Sequence, residues 1–217
     1  MLTDFHSHIL PGVDDGVRTL DEALAVLERL EREGVESLWL TPHIMEDVPN
    51  RTDDLRQRFA ELQTAYAGPI RLQLAAEYML DSLFAERLAA DDLLPLGERG
   101  DALLVETSCF TPPMDLDGLL DRIRYAGYHP VLAHPERYFY MDHADYRRHA
   151  AAGTRFQLNL GSLAGAYGNE VRRKAKWLLR RDFYTLAGSD LHRERMVDII
   201  LTYRHPDRVL PLLTHNL

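Results

Sequence analysis

Cysteine is almost missing from this sequence: Cys109 stands alone among 217 residues. One thiol excludes an intramolecular disulfide and agrees with a reducing compartment. Positive charge is also in short supply, with 25 Lys and Arg against 34 Asp and Glu, a net charge of −9. That balance disfavours a broadly basic binder of nucleic acid or anionic membrane, while leaving room for a local basic site. No apolar run approaches the roughly 20 residues of a membrane span. The opening MLTDFHSH lacks the pattern of a signal peptide. A cytoplasmic protein is therefore expected. Low-complexity tracts, repeats and linker-like shifts are absent too, and 46% hydrophobic with 27% charged residues are ordinary globular fractions. A single domain over residues 1–217 is the expectation. Histidine, by contrast, is plentiful, with ten residues.

Short apolar runs alternate with longer helical patterns. Leu2–Phe5, Val35–Leu40, Ile70–Ala76, Ala102–Val105, Pro130–Ala133, Arg155–Leu158 and Phe183–Ala187 predict seven strands. Between them, Thr19-Leu20-Asp21-Glu22 predicts a capping box. Leu20, Ala23, Leu24, Leu27 and Leu30 then form one apolar helical face. Further helices are predicted over Thr52–Ala67, Leu80–Ala90, Leu116–Ala126, Ala144–Ala151 and Glu170–Arg181. The alternation suggests parallel βα units, in a barrel or an open doubly wound sheet.

Metal-capable side chains fall where these strands end. His6 and His8 follow the first, His43 the second, Glu77 the third and Glu106 the fourth. His134 ends the fifth, Asn159 the sixth, and Asp190 and His192 follow the seventh. In a parallel barrel these ends open on one face, so residues more than 180 positions apart would converge. Each alone has a bland explanation as a packed histidine or a charged strand end; their coincidence at successive strand ends does not. Five of the ten histidines belong to this set, whereas His129, His143, His149, His205 and His215 read as surface or packing residues. Five imidazoles with several carboxylates exceed the three or four ligands of one catalytic zinc. Two or three divalent ions sharing Glu77 or Asp190 are implied, and with them metal-assisted hydrolysis. Arg137, three residues after His134, offers a phosphate clamp, and Arg193 and Arg195 follow His192.

Phe5-His6-Ser7-His8-Ile9-Leu10-Pro11-Gly12-Val13-Asp14-Asp15-Gly16, with Thr41-Pro42-His43, Ala76-Glu77, His134-Pro135-Glu136-Arg137-Tyr138 and Ser189-Asp190-Leu191-His192, resembles the PHP (polymerase and histidinol phosphatase) superfamily. More closely, it is similar to the bacterial CpsB/YwqE-type protein-tyrosine phosphatases encoded with capsule and exopolysaccharide genes. The resemblance spans about residues 2–200. It implies a distorted seven-stranded (βα)7 TIM-like barrel with a trinuclear centre, usually of manganese, with iron or zinc as other options. The implied metal ligands are His6, His8, Asp15, His43, Glu77, Glu106, His134, Asp190 and His192, with Asp14 as the alternative to Asp15. Arg137 is the implied catalytic arginine. The local spacing after the final Asp-x-His differs from the family's, and Arg195, or Arg193, is the candidate second arginine. The implied substrate is the phosphotyrosine tail of a bacterial tyrosine autokinase controlling polysaccharide export, cleaved by direct attack of a metal-bound hydroxide.

Other classes are compatible with parts of this pattern. A thiol phosphatase would need an arginine six positions after Cys109, where Asp115 stands. Histidinol-phosphate phosphatase is the runner-up within the superfamily. A TatD-like metal-dependent nuclease and a noncatalytic binding module on a relic barrel are further alternatives. Arg172, Arg173, Lys174, Lys176, Arg180 and Arg181 form a cationic stretch that is either a solvated helix face or a dock for an acidic phosphorylated tail.

Overall fold

Local signals set most of the helices in this computed structural model, which describes residues 2–198 and 208–214. Thr19 caps helix α1 (Leu20–Arg32) by accepting from the Glu22 amide at 3.2 Å. The expected box is only half made, because the Glu22 carboxylate accepts from the Arg18 amide instead. The buried face is Ala23, Val26, Leu27 and Leu30, so it is rotated from the expected stripe and leaves Leu20 exposed. A complete capping box appears at Asp142 and Asp145, opening α5 (His143–Ala151). The remaining helices are α2 (Thr52–Ala65), α3 (Ser82–Ala90), α4 (Leu116–Tyr125), α6 (Leu160–Ala164), α7 (Gly168–Leu179) and a last short one, Leu210–Thr214.

The strands are β1 (Thr3–Asp4), β2 (Ser37–Leu40), β3 (His43–Ile44), β4 (Arg71–Leu74), β5 (Glu77–Met79), β6 (Ala102–Glu106), β7 (His129–Ala133), β8 (Arg155–Asn159) and β9 (Tyr184–Gly188). Every ladder between them is parallel, as the alternation predicts. In place of the expected distorted seven-stranded (βα)7 barrel, the described residues form nine strands in two sheets with no closed barrel, ordered β1-β2-β4 and β3-β5-β6-β7-β8-β9. The physical cause lies in two short interruptions. Pro42 has no amide to continue the β2 ladder, and the Ala76 amide turns to the Leu94 carbonyl. Each run therefore breaks and resumes in the other sheet, Leu40 to His43 and Leu74 to Glu77.

Side chains alternate across the strands, and the two faces are packed differently. A large cluster including Leu103, Val105, Leu132, Phe156 and Leu158 lies among the helices. The opposite face carries Phe5, Trp39, Ala75, Leu104, Val131, Ala133 and Leu186, a smaller cluster drawn from both sheets. Two residues beyond Ala75 and Leu104 on that same face stand Glu77 and Glu106. The small core thus forms the floor beneath the strand ends.

β9 packs closely enough against the segment that follows β1 to demand glycine. A Cβ at Gly188 would lie 2.5 Å from the His6 Cβ and 2.7 Å from its amide nitrogen. Gly188→Ala is expected to cost roughly 1–3 kcal/mol through overpacking; urea unfolding measures it, and an unchanged midpoint would contradict the contact.

Candidate metal centre

The strand ends converge as the spacing predicts. Two segments far apart in the sequence meet where the Asp190 amide donates to the His6 carbonyl at 2.8 Å and the His8 amide to that of Leu191 at 2.9 Å. His6, His8, Glu77, Glu106, His134 and Asp190 are buried, His43 and His192 are partly buried, and Asp15 lies exposed at the rim. Their donor atoms form three overlapping groups that suit a metal ion: His8, Asp15, His43 and His192; His6, His8 and Asp190; and His43, Glu77 and Glu106. His134 belongs to none of the three, but its Nε2 lies 3.0 Å from Glu77 Oε1 and 3.7 Å from Glu106 Oε2.

Hydrogen bonds behind the rings decide which nitrogen faces the centre. His6 Nδ1 sits 3.2 Å from Gln157 Oε1, His8 Nδ1 2.9 Å from Asp14 Oδ2, and His192 Nδ1 2.9 Å from the Asp190 carbonyl. Each oxygen accepts a hydrogen bond from Nδ1–H and so turns an Nε2 lone pair inward, the usual arrangement behind a metal-binding imidazole. The consequence is a concentration of electron pairs. His6 Nε2 and His8 Nε2 are 3.0 Å apart, with Glu77 Oε2 at 3.2 and 3.4 Å and Asp190 Oδ1 at 3.5 and 3.3 Å. Such a set repels itself unless cations are present. Buried Glu77 Oε2, His43 Nδ1 and His134 Nδ1 also make no well-directed hydrogen bond, a costly state that coordination would relieve.

Protonation follows the same pattern. Burial favours neutral His6 and His8, but Glu77 and Asp190 raise His6 above the ordinary value, and Asp14 foremost, with Asp190 and Glu77, raises His8. His43 is raised as well; burial and the charge on His8 oppose this, and Glu106 and Glu77 prevail. A hydrogen bond from His192 lowers Asp15 to about 2. Burial pushes Glu77 and Asp190 up, yet both are held below the ordinary range, chiefly by His6, with His134 and His8 assisting.

Asp14 and Asp15 therefore divide their labour. Asp15 Oδ1 lies 3.3 Å from His192 Nε2 and 3.6 Å from His43 Nε2, at the rim. Asp14 is turned inward, accepting from the Gly16 and His43 amides while holding His8. Gly16 is required here, because a Cβ would collide with the His8 carbonyl. Backbone strain is also present at the site. His134 (φ 34°) and Asp190 (φ 55°) adopt the left-handed region, which costs of order 1–3 kcal/mol per residue and is found where the surroundings enforce it.

Arg137 donates to Asp190 Oδ2 at 2.8 Å and lies 4.5 Å above the Tyr167 ring. The Asp190 charge overcomes burial and keeps it firmly cationic. Arg193 and Arg195 are exposed and make no hydrogen bond or ion pair with the cluster among the described residues. Arg193, with His192, Gly16 and Arg18, lines a recess of about 580 Å³. The cationic stretch is not one solvated face. Lys174 donates to the Tyr138 and Met141 carbonyls, and Arg181 stacks on Trp177. Arg172, Arg173 and Lys176 line a separate depression. Of the remaining histidines, His143 stacks on Trp177, His149 is buried and His129 is exposed; His205 and His215 lie outside the described residues.

Several contributing residues were invisible to sequence reasoning. Gln157 accepts from the His134 amide besides holding His6. Buried Asp4 accepts from the His6 and Ser189 amides, and Glu136 accepts from the Asn159 amide and the Tyr184 hydroxyl. The only available signal was a polar residue inside an apolar strand, as at Gln157. Asn159, noted as a strand end, donates to Asp190 at 2.8 Å and caps α6.

Known proteins share both the sequence pattern and the fold. CpsB of Streptococcus pneumoniae, a tyrosine-protein phosphatase, is 28% identical over 204 residues, covering 88% of this chain and 83% of its own. YwqE of Bacillus subtilis (strain 168), also a tyrosine-protein phosphatase, is 25% identical over 202 residues, 88% of this chain and 77% of that one. Among solved structures, a chain from the work on B. subtilis YwqE and S. pneumoniae CpsB, described as unique metal-dependent tyrosine phosphatases, superposes with a TM-score of 0.76. It is 22% identical and covers 97% of this chain and 90% of that chain, which shows a shared fold. The family model for capsular polysaccharide synthesis, CpsB/CapC, matches residues 2–198, and the chain belongs to that family.

Proposed function

We propose that this chain is a metal-dependent protein-tyrosine phosphatase acting on the phosphotyrosine tail of a tyrosine kinase in capsule or exopolysaccharide regulation. His6, His8, Asp15, His43, Glu77, Glu106, His134, Asp190 and His192 would hold two or three divalent ions, manganese foremost. The observation that carries this is the convergence of inward lone pairs from His6 and His8 on the Glu77 and Asp190 carboxylates. When bound, such ions supply Lewis-acid charge and lower the pKa of water.

The protein's own groups do the positioning. Asp14, Gln157 and the Asp190 carbonyl fix the ring orientations. Arg137 is anchored on one side by Asp190 and backed by Tyr167, leaving its remaining donors for equatorial phosphate oxygens. Arg195, or Arg193 beside His192, is the second clamp in this scheme, reaching inward once phosphate is bound. A phenol leaving group, of pKa about 10, departs more readily than an alkoxide. In this reading the two sheets act as one barrel-like scaffold and one domain, supported by the small core they share and by the hydrogen bond from the Phe5 amide to the Ala187 carbonyl of β9. Cytoplasmic placement suits an intracellular kinase tail, and no described helix is long and apolar enough to cross a membrane.

Cys109 is half-buried, and burial raises its thiol above the ordinary value, the wrong direction for a nucleophile. Cys109→Ser is expected to keep turnover; its abolition in folded enzyme would restore a thiol mechanism. The substrate assignment is tested with manganese-loaded protein offered matched phosphotyrosine and phosphoserine peptides and histidinol phosphate. Preference for phosphotyrosine is expected; preference for histidinol phosphate moves the assignment to that branch.

A further inference from the structure

Two large exposed rings stand on segments that adjoin the site. Phe110 is 75% exposed and Phe139 45%, yet they stack nearly parallel, with centroids 5.4 Å apart and planes 13° apart. Phe110 lies four residues beyond Glu106 at the end of β6, and Phe139 lies two residues beyond Arg137. Two residues of chain span at most about 7 Å, so the Phe139 backbone is close to that of the phosphate-clamping arginine.

Both segments are held firmly. The Phe139 amide donates to the Cys109 carbonyl at 2.8 Å, the Thr107 amide to the Tyr138 hydroxyl at 3.3 Å, and the Thr107 and Tyr140 hydroxyls pair at 2.5 Å. Lys174 braces the second segment from below through the Tyr138 and Met141 carbonyls and lies 5.9 Å from the Phe139 ring. Ser108 Oγ accepts from the Phe110 and Thr111 amides at 3.3 and 3.4 Å. A preorganised apolar surface next to a phosphate site has the chemistry to receive a planar, apolar leaving group, since aromatic rings gain from stacking beyond the area they bury.

We propose that Phe110 and Phe139 form the seat for the substrate's aromatic ring, giving the site its preference for aryl over alkyl phosphate esters. This rests on the phosphatase reading above. The phosphoryl group is held by Arg137 and the cluster, while the phenyl ring lies along the Phe pair. The two rings are ring-binding residues, and the phosphate itself gains nothing from them.

The experiment compares wild type with Phe139→Ala, the double variant Phe110→Ala/Phe139→Ala and Phe139→Tyr, all in manganese-loaded full-length protein. KM and kcat are measured on a phosphotyrosine peptide, and the inhibition constant is measured for inorganic phosphate, which has no ring. Tyr125→Ala is the control: Tyr125 is 89% exposed at the carboxyl end of α4, the helix running back from the site face. The double variant is expected to raise KM roughly tenfold, with kcat changing less and the phosphate constant unchanged. Phe139→Tyr should stay near wild type, as should Tyr125→Ala. Both Phe residues are exposed, so the fold is expected to survive, as thermal unfolding will show. An unchanged KM in the double variant, or an equal rise in KM and in the phosphate constant, overturns the ring seat while leaving the phosphatase reading intact. Failure of wild type to cleave phosphotyrosine overturns both.

Discussion

Glu77→Gln lowers phosphotyrosine turnover by about a thousandfold, if Glu77 is the charge on which the centre is assembled. Its two oxygens lie within 3.0–3.4 Å of a ring nitrogen of His6, His8, His43 and His134, and the side chain is fully buried. Gln preserves shape and removes the charge that compensates several cations at once. Stabilisation of transition-state charge by metal ions is worth several kcal/mol, and about 4 kcal/mol corresponds to that loss of rate. Metal content should fall in parallel. Asp15→Asn is the companion variant: Asp15 is 71% exposed at its side chain, so its loss leaves the packing untouched and any fall in turnover reports on the site alone. His6→Ala is a poorer choice, because it opens a cavity at a fully buried position. Near-normal turnover with full metal content in Glu77→Gln would remove Glu77 from the centre.

The second large effect concerns stability against pH, measured by urea unfolding with chelator and with saturating manganese. In ion-free protein the cations of the cluster are protons. His6, His8 and His43 are raised in the folded state despite burial, through Glu77, Asp190, Asp14 and Glu106. Their stabilisation is fully present below the unfolded value of about 6.5 and is lost as pH rises through the raised folded values. The carboxylates have the opposite sign. Asp15, held to about 2 mainly by His192, and the lowered Glu77 and Asp190 contribute above about pH 4, and this is lost as pH falls through their depressed values. Ion-free protein is thus expected to be most stable between about pH 4.5 and 6.5 and to weaken towards pH 9. Manganese replaces the protons on imidazole, so the alkaline decline should largely disappear, with about 2.7 kcal/mol gained at a hundredfold excess over Kd. Superimposable curves with and without manganese would mean that the imidazole–carboxylate cluster does not bind it.

How much of this was legible in the sequence depends on the range of the forces involved. The seven short runs read as strands all became strands because their patterning is local. β3 and β5 escaped notice because two or three residues after an interruption have no period to detect. The α6 turn is likewise too short to show a helical stripe. Position at the ends of strands was enough to bring His6, His43, Glu106 and Asp190 together. The residues that aim them were hidden, because Gln157 reaches His6 across 151 positions and Asp4 reaches Ser189 across 185. A register irregularity at Phe156/Gln157 accompanies the first of these, and no composition or spacing rule reports it. The choice between Asp14 and Asp15 was similarly a matter of three-dimensional direction, inward towards His8 or outward towards His192.

In the proposed reaction, turnover depends on ions held by the converging lone pairs. Stripping the protein with chelator, titrating manganese back, and recording bound metal and phosphotyrosine hydrolysis on the same samples probes that dependence. Turnover should be absent in the stripped protein and return as two or three ions bind per chain. Full hydrolysis by folded, metal-free protein would contradict the account.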